Sequence, residues 1–179
     1  MKIIVGLGNP GEQYARSRHN VGWLILDSIL GEVKWTLNKK WNALVCEQGG
    51  DLYLKPQTFM NNSGMAVSAA LNYYHLLPKK LKLFSTKDSD LSDVLTVIHD
   101  DLDIDLGKMK TSIGSRSAGH NGVQSIINYT KTFNFKRVRV GIKTIDRENI
   151  PADKFVLGRF KEEELKEIER LLGDIKKEI

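Results

Sequence analysis

Three side chains suited to hydrolytic chemistry lie close together near the start of the chain. Asn9, Tyr14 and His19 fall within the segment Gly6–Asn20, among glycines and a proline that interrupt regular structure. A histidine can take a proton from water near neutral pH, and an asparagine amide can donate to an oxygen on which negative charge develops. An apolar run precedes the segment and an amphipathic pattern follows it, so we expect a strand, a turn that displays these groups, and a helix.

A second set of candidates follows another apolar run, at residues 94–98. This run predicts a second buried strand, and it stops abruptly at His99 and Asp100. Ligands of open α/β sheets bind beyond the carboxyl ends of the strands. If the two predicted strands are parallel neighbours, Asp100 can accept a hydrogen bond from the His19 ring. That bond would fix the tautomer of His19 and leave its other nitrogen free as a base.

The acidic residues after this strand also suggest a metal site. His99, Asp101 and Asp103 have the side-chain types of a catalytic divalent-metal centre, so a metal-dependent phosphohydrolase is an alternative function. The segment is not an EF-hand, because a loop counted from Asp101 places Leu106 and Ser112 where glycine and glutamate are required. An aspartate-rich turn without a ligand is the simpler interpretation.

The glycines at 6, 8 and 11 match the dinucleotide-binding fingerprint, but their surroundings do not. The fingerprint needs a helix that starts within it and an acidic residue at the end of a second strand. Here the helical pattern starts about nine residues after Gly11, and the nearest acidic candidate, Asp27, lies inside that helix. The glycines therefore predict a turn, and no cofactor is expected. Because no nucleophile elbow, Walker loop or zinc motif is present, hydrolysis would use water directly.

Strand and helix patterns are mixed along the whole chain. Strands are predicted at 3–7, 42–47, 52–55, 81–83, 94–98, 108–113 and 137–143, and helices at 21–29, 65–73, from 120 and from 161 to the end. Residues 84–93 predict a polar surface loop. Asn61 and Asn121 stand at the starts of helices, where simple capping would explain them. With no internal repeat or linker, the chain is expected to form one α/β domain with a mixed sheet, spanning residues 1–179.

The overall composition is that of an ordinary globular protein with a mild basic bias. The net charge of +5 fits a nucleic-acid or phosphate partner without requiring one. A single cysteine, Cys46, excludes an intrachain disulfide and favours the cytosol. No segment approaches the roughly 18 apolar residues of a membrane span, so no membrane partner is expected.

One predicted strand carries a row of basic side chains. Arg137, Arg139 and Lys143 alternate with apolar residues, and such a row is most often a solvated strand face. Together with Lys108, Lys110 and Arg116 the row would instead form a phosphate-binding surface. That surface supports a third possible function, a non-catalytic RNA-binding module.

Six segments, taken together, resemble the bacterial-type peptidyl-tRNA hydrolase family. They are VGLGNPGEQYARSRHNVG, KPQTFMNNSG, VIHDDLDIDLGKMK, AGHNGVQSI, FKRVRVGI and FVLGRF, in the order of the family and over nearly the whole chain. The resemblance implies a single α/β domain with a mixed twisted β-sheet surrounded by α-helices, acting as a cytosolic monomer. It also implies metal-independent hydrolysis of the ester between a peptide and the 3′ ribose of tRNA, which returns free tRNA to translation.

The resemblance also assigns roles to individual residues. The catalytic base of the family falls on His19, and its supporting carboxylate on Asp100. Asn9 matches an asparagine that helps distinguish blocked from free aminoacyl esters, and Arg139 an arginine that holds the 5′ phosphate of tRNA. The substrate-contacting positions of the family match Tyr14, Phe59, Asn61 and Asn121, with Met60 lining the same cleft.

The sequence departs from the family pattern near the phosphate site. Ser112 stands where the family usually has a lysine that clamps the 5′ phosphate with the arginine. Lys110, two residues earlier on the same face of the predicted strand, is one substitute, and Arg116 in the following loop is another. Residues 84–93 are expected to be an insertion, and the last helix ends early, at Ile179.

Overall fold

The computed structural model describes residues 1–77 and 89–179. The predicted strand at 81–83 and the first half of the predicted loop at 84–93 lie outside the described residues. In the described part, the strands are β1 (Ile3–Gly6), β2 (Thr36–Asn38), β3 (Ala43–Gln48), β4 (Asp51–Pro56), β5 (Leu95–Asp105), β6 (Met109–Ser112) and β7 (Lys136–Lys143). The helices of the same part are α1 (Val21–Leu30), α2 (Ser63–Tyr73), α3 (Asn121–Thr130), α4 (Ala152–Leu157), α5 (Glu162–Arg170) and α6 (Leu172–Glu178).

The strands form one mixed sheet in the order β2-β3-β4-β1-β5-β7-β6. β1 lies near the centre, parallel to both β4 and β5, and β5 is also parallel to β7. The β2-β3-β4 edge and the β6-β7 edge are antiparallel. The two most apolar strands are therefore parallel neighbours, which is the condition on which the expected contact between His19 and Asp100 depended.

Both faces of the sheet are covered by helices, which explains the continuous apolar run of β1. On one face, Ile3 and Val5 pack in a core with residues of α2 and α3. On the other face, Ile4 packs in a core with residues of α1, α5 and α6. A strand buried on both faces cannot show the alternation of polar and apolar residues that a half-solvated strand shows.

The small residue at the start of α2, Gly64, allows this helix to pack closely against α3. A Cβ atom at Gly64 would overlap the backbone carbonyl of Ser125, and the Gly64 N–H donates to the Ser125 hydroxyl at 3.0 Å. This contact joins the start of α2 to the middle of α3. Asn61, just before α2, and Asn121, the first residue of α3, line the same cavity.

The strand that carries Asp100 does not stop at Ile98, and that expectation was wrong. β1 ends at Gly6, which is the register partner of Ile98, but β7 continues to pair with β5 as far as Asp101 and again at Asp105. Pairing on one side is enough to keep β5 extended, while the end of β1 opens a crevice on the other side. Asp100 therefore lies inside a strand and beside this crevice.

The helices differ from the predicted ones at the C-terminal end of the chain and in one short helix. Leu171 separates α5 from α6, so the single predicted C-terminal helix is two. Asn20 makes no side-chain capping bond to α1, because its amide is engaged elsewhere. The six-residue α4 was not predicted, since it is too short to show a helical period. No helix within residues 1–77 or 89–179 is long and apolar enough to span a membrane.

Candidate active site

The end of β1 brings His19 against Asp100. His19 lies in a 3-10 turn, Arg18–Asn20, which leads directly into α1. Its Nδ1 lies 2.8 Å from Oδ1 of Asp100, so the predicted hydrogen bond is present. Asp100 is only 2% exposed and His19 is also buried. The pair is therefore shielded from most of the solvent, and electrostatic interactions in such a buried environment are stronger than in water.

A second histidine shares the same carboxylate oxygen. Nε2 of His120 lies 3.0 Å from Oδ1 of Asp100. Nδ1 of His120 accepts a hydrogen bond from the Val123 N–H at 3.2 Å and so caps the start of α3. Because Nδ1 is the acceptor, a neutral His120 carries its proton on Nε2 and donates it to Asp100.

The two histidines keep Asp100 ionised. Burial alone would raise the pKa of the Asp100 carboxyl, but the charges and hydrogen bonds of His19 and His120 outweigh burial and hold this pKa well below its usual range. An ionised carboxylate can only accept hydrogen bonds, so Nδ1 of His19 carries a proton. A neutral His19 therefore has its lone pair on Nε2, as a general base requires.

Asn9 is held in place by a network of amide hydrogen bonds. The side chain of Asn20 accepts from the Asn9 N–H at 2.9 Å and donates to the Asn9 carbonyl at 3.0 Å. Oδ1 of Asn9 accepts from the Met60 N–H at 2.8 Å. Its oxygen is thus occupied, and the Nδ2 amino group, which has no acceptor within the described residues, is left to donate to a ligand.

One cavity contains all the cleft residues proposed from the sequence. It has a volume of about 260 Å³ and is bordered by His19. The aromatic rings of Tyr14 and Phe59 stand edge to face at its wall, 6.5 Å apart, and Phe59 is largely exposed. The remaining predicted residues on its wall are Asn9, Met60, Asn61 and Asn121.

A second cavity, of about 380 Å³, also borders His19. Its wall includes Asp100 and His120. His19, Asn121, Asp153 and Val156 line both cavities. The histidine therefore stands between two spaces, and α4, which carries Asp153 and Val156, forms a wall of both.

Lys110 and Arg139 lie outside these cavities, on the β6-β7 edge of the sheet. They are register partners across the two antiparallel strands, so they share one face of the sheet. The Nε of Arg139 donates to Oδ2 of Asp101 at 2.8 Å, which leaves the outer nitrogens of the guanidinium free of that bond. Lys110 is exposed. The arrangement offers two cations to an anion in solution.

Arg137 does not belong to a solvated basic face, and that interpretation was wrong for this residue. It is buried, and its guanidinium donates to the backbone carbonyls of Ser115 and Arg116 in the loop before α3. Its register partner Ser112, at the position of the expected lysine, has a buried hydroxyl without a hydrogen-bond partner in the described structure. Arg137 therefore anchors a loop, and neither residue faces an external phosphate.

The metal centre considered from the sequence is not assembled. Nδ1 of His99 hydrogen-bonds to the backbone carbonyl of Asp100, and Asp101 is engaged by Arg139 and by the Asp103 N–H. Burial, reinforced by the charge of His120, lowers the pKa of His99 well below its usual range. Within residues 1–77 and 89–179, the trio close enough to share an ion is His19, Asp100 and His120.

Two residues of the site were not predicted from the sequence. The pattern placed His120 at the start of a helix and Asn20 at the end of the segment that precedes another helix, with no role in the site for either. Their contacts are long-range: His120 reaches Asp100 across 20 positions, and Asn20 reaches back 11 to Asn9. Capping also fails to explain the other two asparagines, because α3 is capped by His120 and α2 begins without a side-chain cap.

Comparison with known proteins places this arrangement in a family. The family model for peptidyl-tRNA hydrolase matches residues 3–179. The chain is similar to the peptidyl-tRNA hydrolase of Persephonella marina, with 42% identity over 170 residues, 92% of this chain and 81% of the relative. It is 38% identical to that of Mesoplasma florum over 173 residues, 94% of this chain and 85% of the relative.

Solved structures agree with the sequence comparison. The crystal structure of peptidyl-tRNA hydrolase from Acinetobacter baumannii superposes with a TM-score of 0.76 at 26% identity, covering 99% of this chain and 92% of that one. A complex of peptidyl-tRNA hydrolase with N-propanol gives a TM-score of 0.78 at 26% identity, covering 97% and 83%. From its sequence and its fold, this chain belongs to the peptidyl-tRNA hydrolase family.

Proposed function

We propose that this protein hydrolyses the ester bond between a peptide, or an N-blocked aminoacyl group, and the 3′ ribose of tRNA. The observation that carries the proposal is the hydrogen bond between His19 and Asp100, which places the lone pair of the neutral ring on Nε2, in a residue that borders two cavities. A base between two spaces suits an ester with a large group on each side. Family membership supports the same substrate.

In the proposed reaction, Nε2 of His19 takes a proton from a water molecule as the oxygen of that water attacks the ester carbonyl. The imidazolium that forms is stabilised by the ionised Asp100 at 2.8 Å. The tetrahedral intermediate then loses the ribose oxygen, which takes the proton back from His19. One water is consumed, and a carboxylic acid and free tRNA are released.

Donors for the developing oxyanion are supplied by the asparagines of the first cavity. Asn9 is held with its amino group free, and Asn61 and Asn121 lie on the same wall. Loss of one such donor typically lowers kcat about a hundredfold or more. The network around Asn9 fixes it before substrate binds, so it need not reorient in the transition state.

The substrate contacts are proposed on the two sides of His19. Tyr14, Phe59 and Met60 offer an apolar wall for the peptide. Arg139 and Lys110 would hold a phosphate of the tRNA, with Lys110 taking the role of the lysine missing at Ser112. Exposed cations of this kind add affinity that depends on salt.

We further propose a metal-independent carboxylic ester hydrolase that acts as a cytoplasmic monomer with one catalytic domain, residues 1–179. Metal independence is supported by the tautomer of His120. Nε2 of this ring can ligate an ion only if its proton moves to Nδ1, and that nitrogen caps α3. The chemistry of the site therefore favours a hydrogen-bonded histidine pair over a metal-bound one.

The test is hydrolysis of N-acetyl-aminoacyl-tRNA, compared with the same aminoacyl-tRNA carrying a free amino group, each with and without EDTA. We expect rapid release of the N-acetyl amino acid, slow release of the free one and no effect of EDTA. Loss of activity with EDTA, recovered with Zn²⁺ or Mg²⁺, would contradict the metal-independent reaction. Salt-dependent binding of tRNA without turnover would contradict the enzyme assignment.

A further inference from the structure

A buried ion pair lies directly beside the proposed base. Arg18 precedes His19 in the same turn, and its Nη2 donates to both carboxylate oxygens of Glu164, at 2.8 and 2.9 Å. Arg18 is 8% exposed and Glu164 6% exposed. The two residues are separated by 146 positions in the chain, so the pair joins the turn of His19 to the start of α5.

The same guanidinium also contacts α4 and the connector that follows it. Nη1 of Arg18 donates to the Arg159 carbonyl at 3.2 Å, and the guanidinium carbon lies 4.4 Å from the centre of the Phe155 ring. The Arg18 N–H donates to the Gly158 carbonyl at 2.9 Å. Through its guanidinium and its backbone N–H together, Arg18 joins the end of α4, the connector and the start of α5 to the turn that carries His19.

These contacts matter for the site because α4 is the wall that both cavities share. Its residues Asp153 and Val156 face the same two spaces as His19. α4 is only six residues long, too short to hold its place by its own hydrogen bonds. Its distance from His19 therefore depends on what anchors its end. Backbone bonds join the connector to the chain around Arg16 and Arg18, and the Arg18 guanidinium adds side-chain contacts to Arg159 and Phe155.

A buried ion pair often adds little to the stability of the folded protein. The two charges lose their hydration, and apolar side chains of similar volume often stabilise a protein as well or better. In this pair, Nη2 of Arg18 donates to both carboxylate oxygens of Glu164 while Nη1 donates to a backbone carbonyl, so the guanidinium is held in one orientation by two different parts of the chain. The ion pair between Arg18 and Glu164 therefore serves to fix the relative position of the chain segments that it joins.

We propose that Arg18 and Glu164 are positioning residues for His19: the pair sets the place of the His19 ring relative to the α4 wall. This inference rests on the proposed function, in which His19 is the base. It concerns residues outside the reacting groups, because neither Arg18 nor Glu164 lines either cavity.

The chain contains a matched control for this pair. Arg16 and Glu162 form an ion pair between the same two parts of the chain, but their side chains are exposed, at 47% and 75%. Exposed pairs contribute little to stability or geometry. The double variant Arg16→Gln/Glu162→Gln therefore removes a pair without removing a buried anchor.

The experiment compares Arg18→Met/Glu164→Leu with this control. Both partners are replaced together, because a single replacement would leave one buried charge unpaired. Folding is checked by urea unfolding, kcat and KM are measured on N-acetyl-aminoacyl-tRNA, and the ring ¹⁵N signals of His19 are recorded by NMR. We expect the buried-pair variant to stay folded, to lose about tenfold or more in kcat with little change in KM, and to shift the His19 signals. The control should stay within about twofold of the wild type in kcat.

Other outcomes decide against the proposal. A folded Arg18→Met/Glu164→Leu protein with wild-type kcat and unshifted His19 signals would show that the pair is only structural. An equal loss in the exposed control would show that the effect is not positional. If the double variant does not fold, Arg18→Gln/Glu164→Gln, which leaves no buried charge and keeps an acceptor for the Lys161 N–H, is measured with the same readouts and the same criteria. If the wild type does not cleave the ester at all, the proposed function fails, while the His19 signals still decide whether the pair positions the ring.

Discussion

Two polar regions, one at the end of β1 and one on the β6-β7 edge of the sheet, differ in burial and in their exposure to salt. We call His19, Asp100 and His120 the carboxylate cluster, and Lys110 with Arg139 the cation pair. Arg139 is the register partner of His99, the residue before Asp100. Yet Asp100 is 2% exposed, whereas the side chain of Arg139 is 27% exposed and Lys110 is open to solvent.

Because they differ in burial, the two regions suit different functions. Interactions in the carboxylate cluster are short, directional and little screened by salt, so they can fix a tautomer and stabilise a charge during reaction. Interactions of the cation pair are screened and adaptable, so they suit recognition of a phosphate but not control of a proton. Substitutions in the first region should change kcat, and those in the second should change KM and its salt dependence.

Asp100→Asn is expected to change the rate of hydrolysis more than any substitution in the cation pair does. An amide can donate as well as accept, so it would no longer hold the proton of His19 on Nδ1 and would not stabilise the imidazolium. We expect kcat to fall about a hundredfold to a thousandfold with a small change in KM. Steady-state kinetics on N-acetyl-aminoacyl-tRNA measure this, and a large rise in KM at constant kcat would place Asp100 in binding instead.

His120→Asn separates the two roles of this histidine. Asparagine is a good helix cap, so α3 should remain capped, but its side chain is too short to replace Nε2 as a donor to Asp100. We expect unfolding in urea close to that of the wild type and a fall in kcat of about tenfold. A stable variant with unchanged kcat would show that the hydrogen bond from His120 to Asp100 does not contribute to the rate.

Lys110→Ala and Arg139→Gln test the cation pair. Glutamine retains a donor for Asp101, so the buried carboxylate is not left alone. We expect weaker tRNA binding, unchanged kcat and a salt slope smaller by about one for each variant. Ser112→Ala is the control, because the Ser112 hydroxyl has no hydrogen-bond partner in the described structure and its loss should change nothing. A salt slope equal to that of the wild type in Lys110→Ala would exclude Lys110 as the substitute clamp.

His99→Asn should give the smallest effect, and on stability instead of rate. Burial, reinforced by His120, lowers the pKa of His99 in the folded state, so the unfolded chain binds a proton that the folded chain does not. Stability is then lost as the pH falls below the ordinary histidine pKa, by at most about 1.4 kcal/mol per pH unit from this residue. Urea unfolding at several pH values should show a shallower pH dependence in the variant. An unchanged dependence would contradict a neutral, buried His99.

The local features of the site could be predicted from the sequence better than its long-range contacts. The apolar runs of β1 and β5 predicted two buried strands, and the contact of His19 with Asp100 was expected if these strands were parallel neighbours, which they are. The roles of Asn20 and His120 did not follow, because each side chain satisfies a partner distant in the chain instead of the nearest backbone group. Patterns of spacing report on neighbours in one element, not on such pairs.

The basic residues of β7 also show that spacing alone does not predict the surroundings of a side chain. Arg137 and Arg139 occupy equivalent positions in an alternating pattern, yet one is buried under the loop before α3 and the other is partly exposed. Nothing in the alternation distinguishes them, since the difference comes from the loop that covers Arg137. Likewise, β5 continues beyond Ile98 because β7 pairs with it, a condition that its own residues do not reveal.

The most direct test of the account is the single-turnover rate of His19→Ala on N-acetyl-aminoacyl-tRNA in the presence of EDTA. His75→Asn is the matched control, because His75 is exposed after α2 with a positive φ of 56° that asparagine tolerates. We expect His19→Ala to lose about a hundredfold to ten-thousandfold in rate while it still binds tRNA, and His75→Asn to match the wild type. Hydrolysis by His19→Ala at the rate of the control would contradict the assignment of His19 as the base.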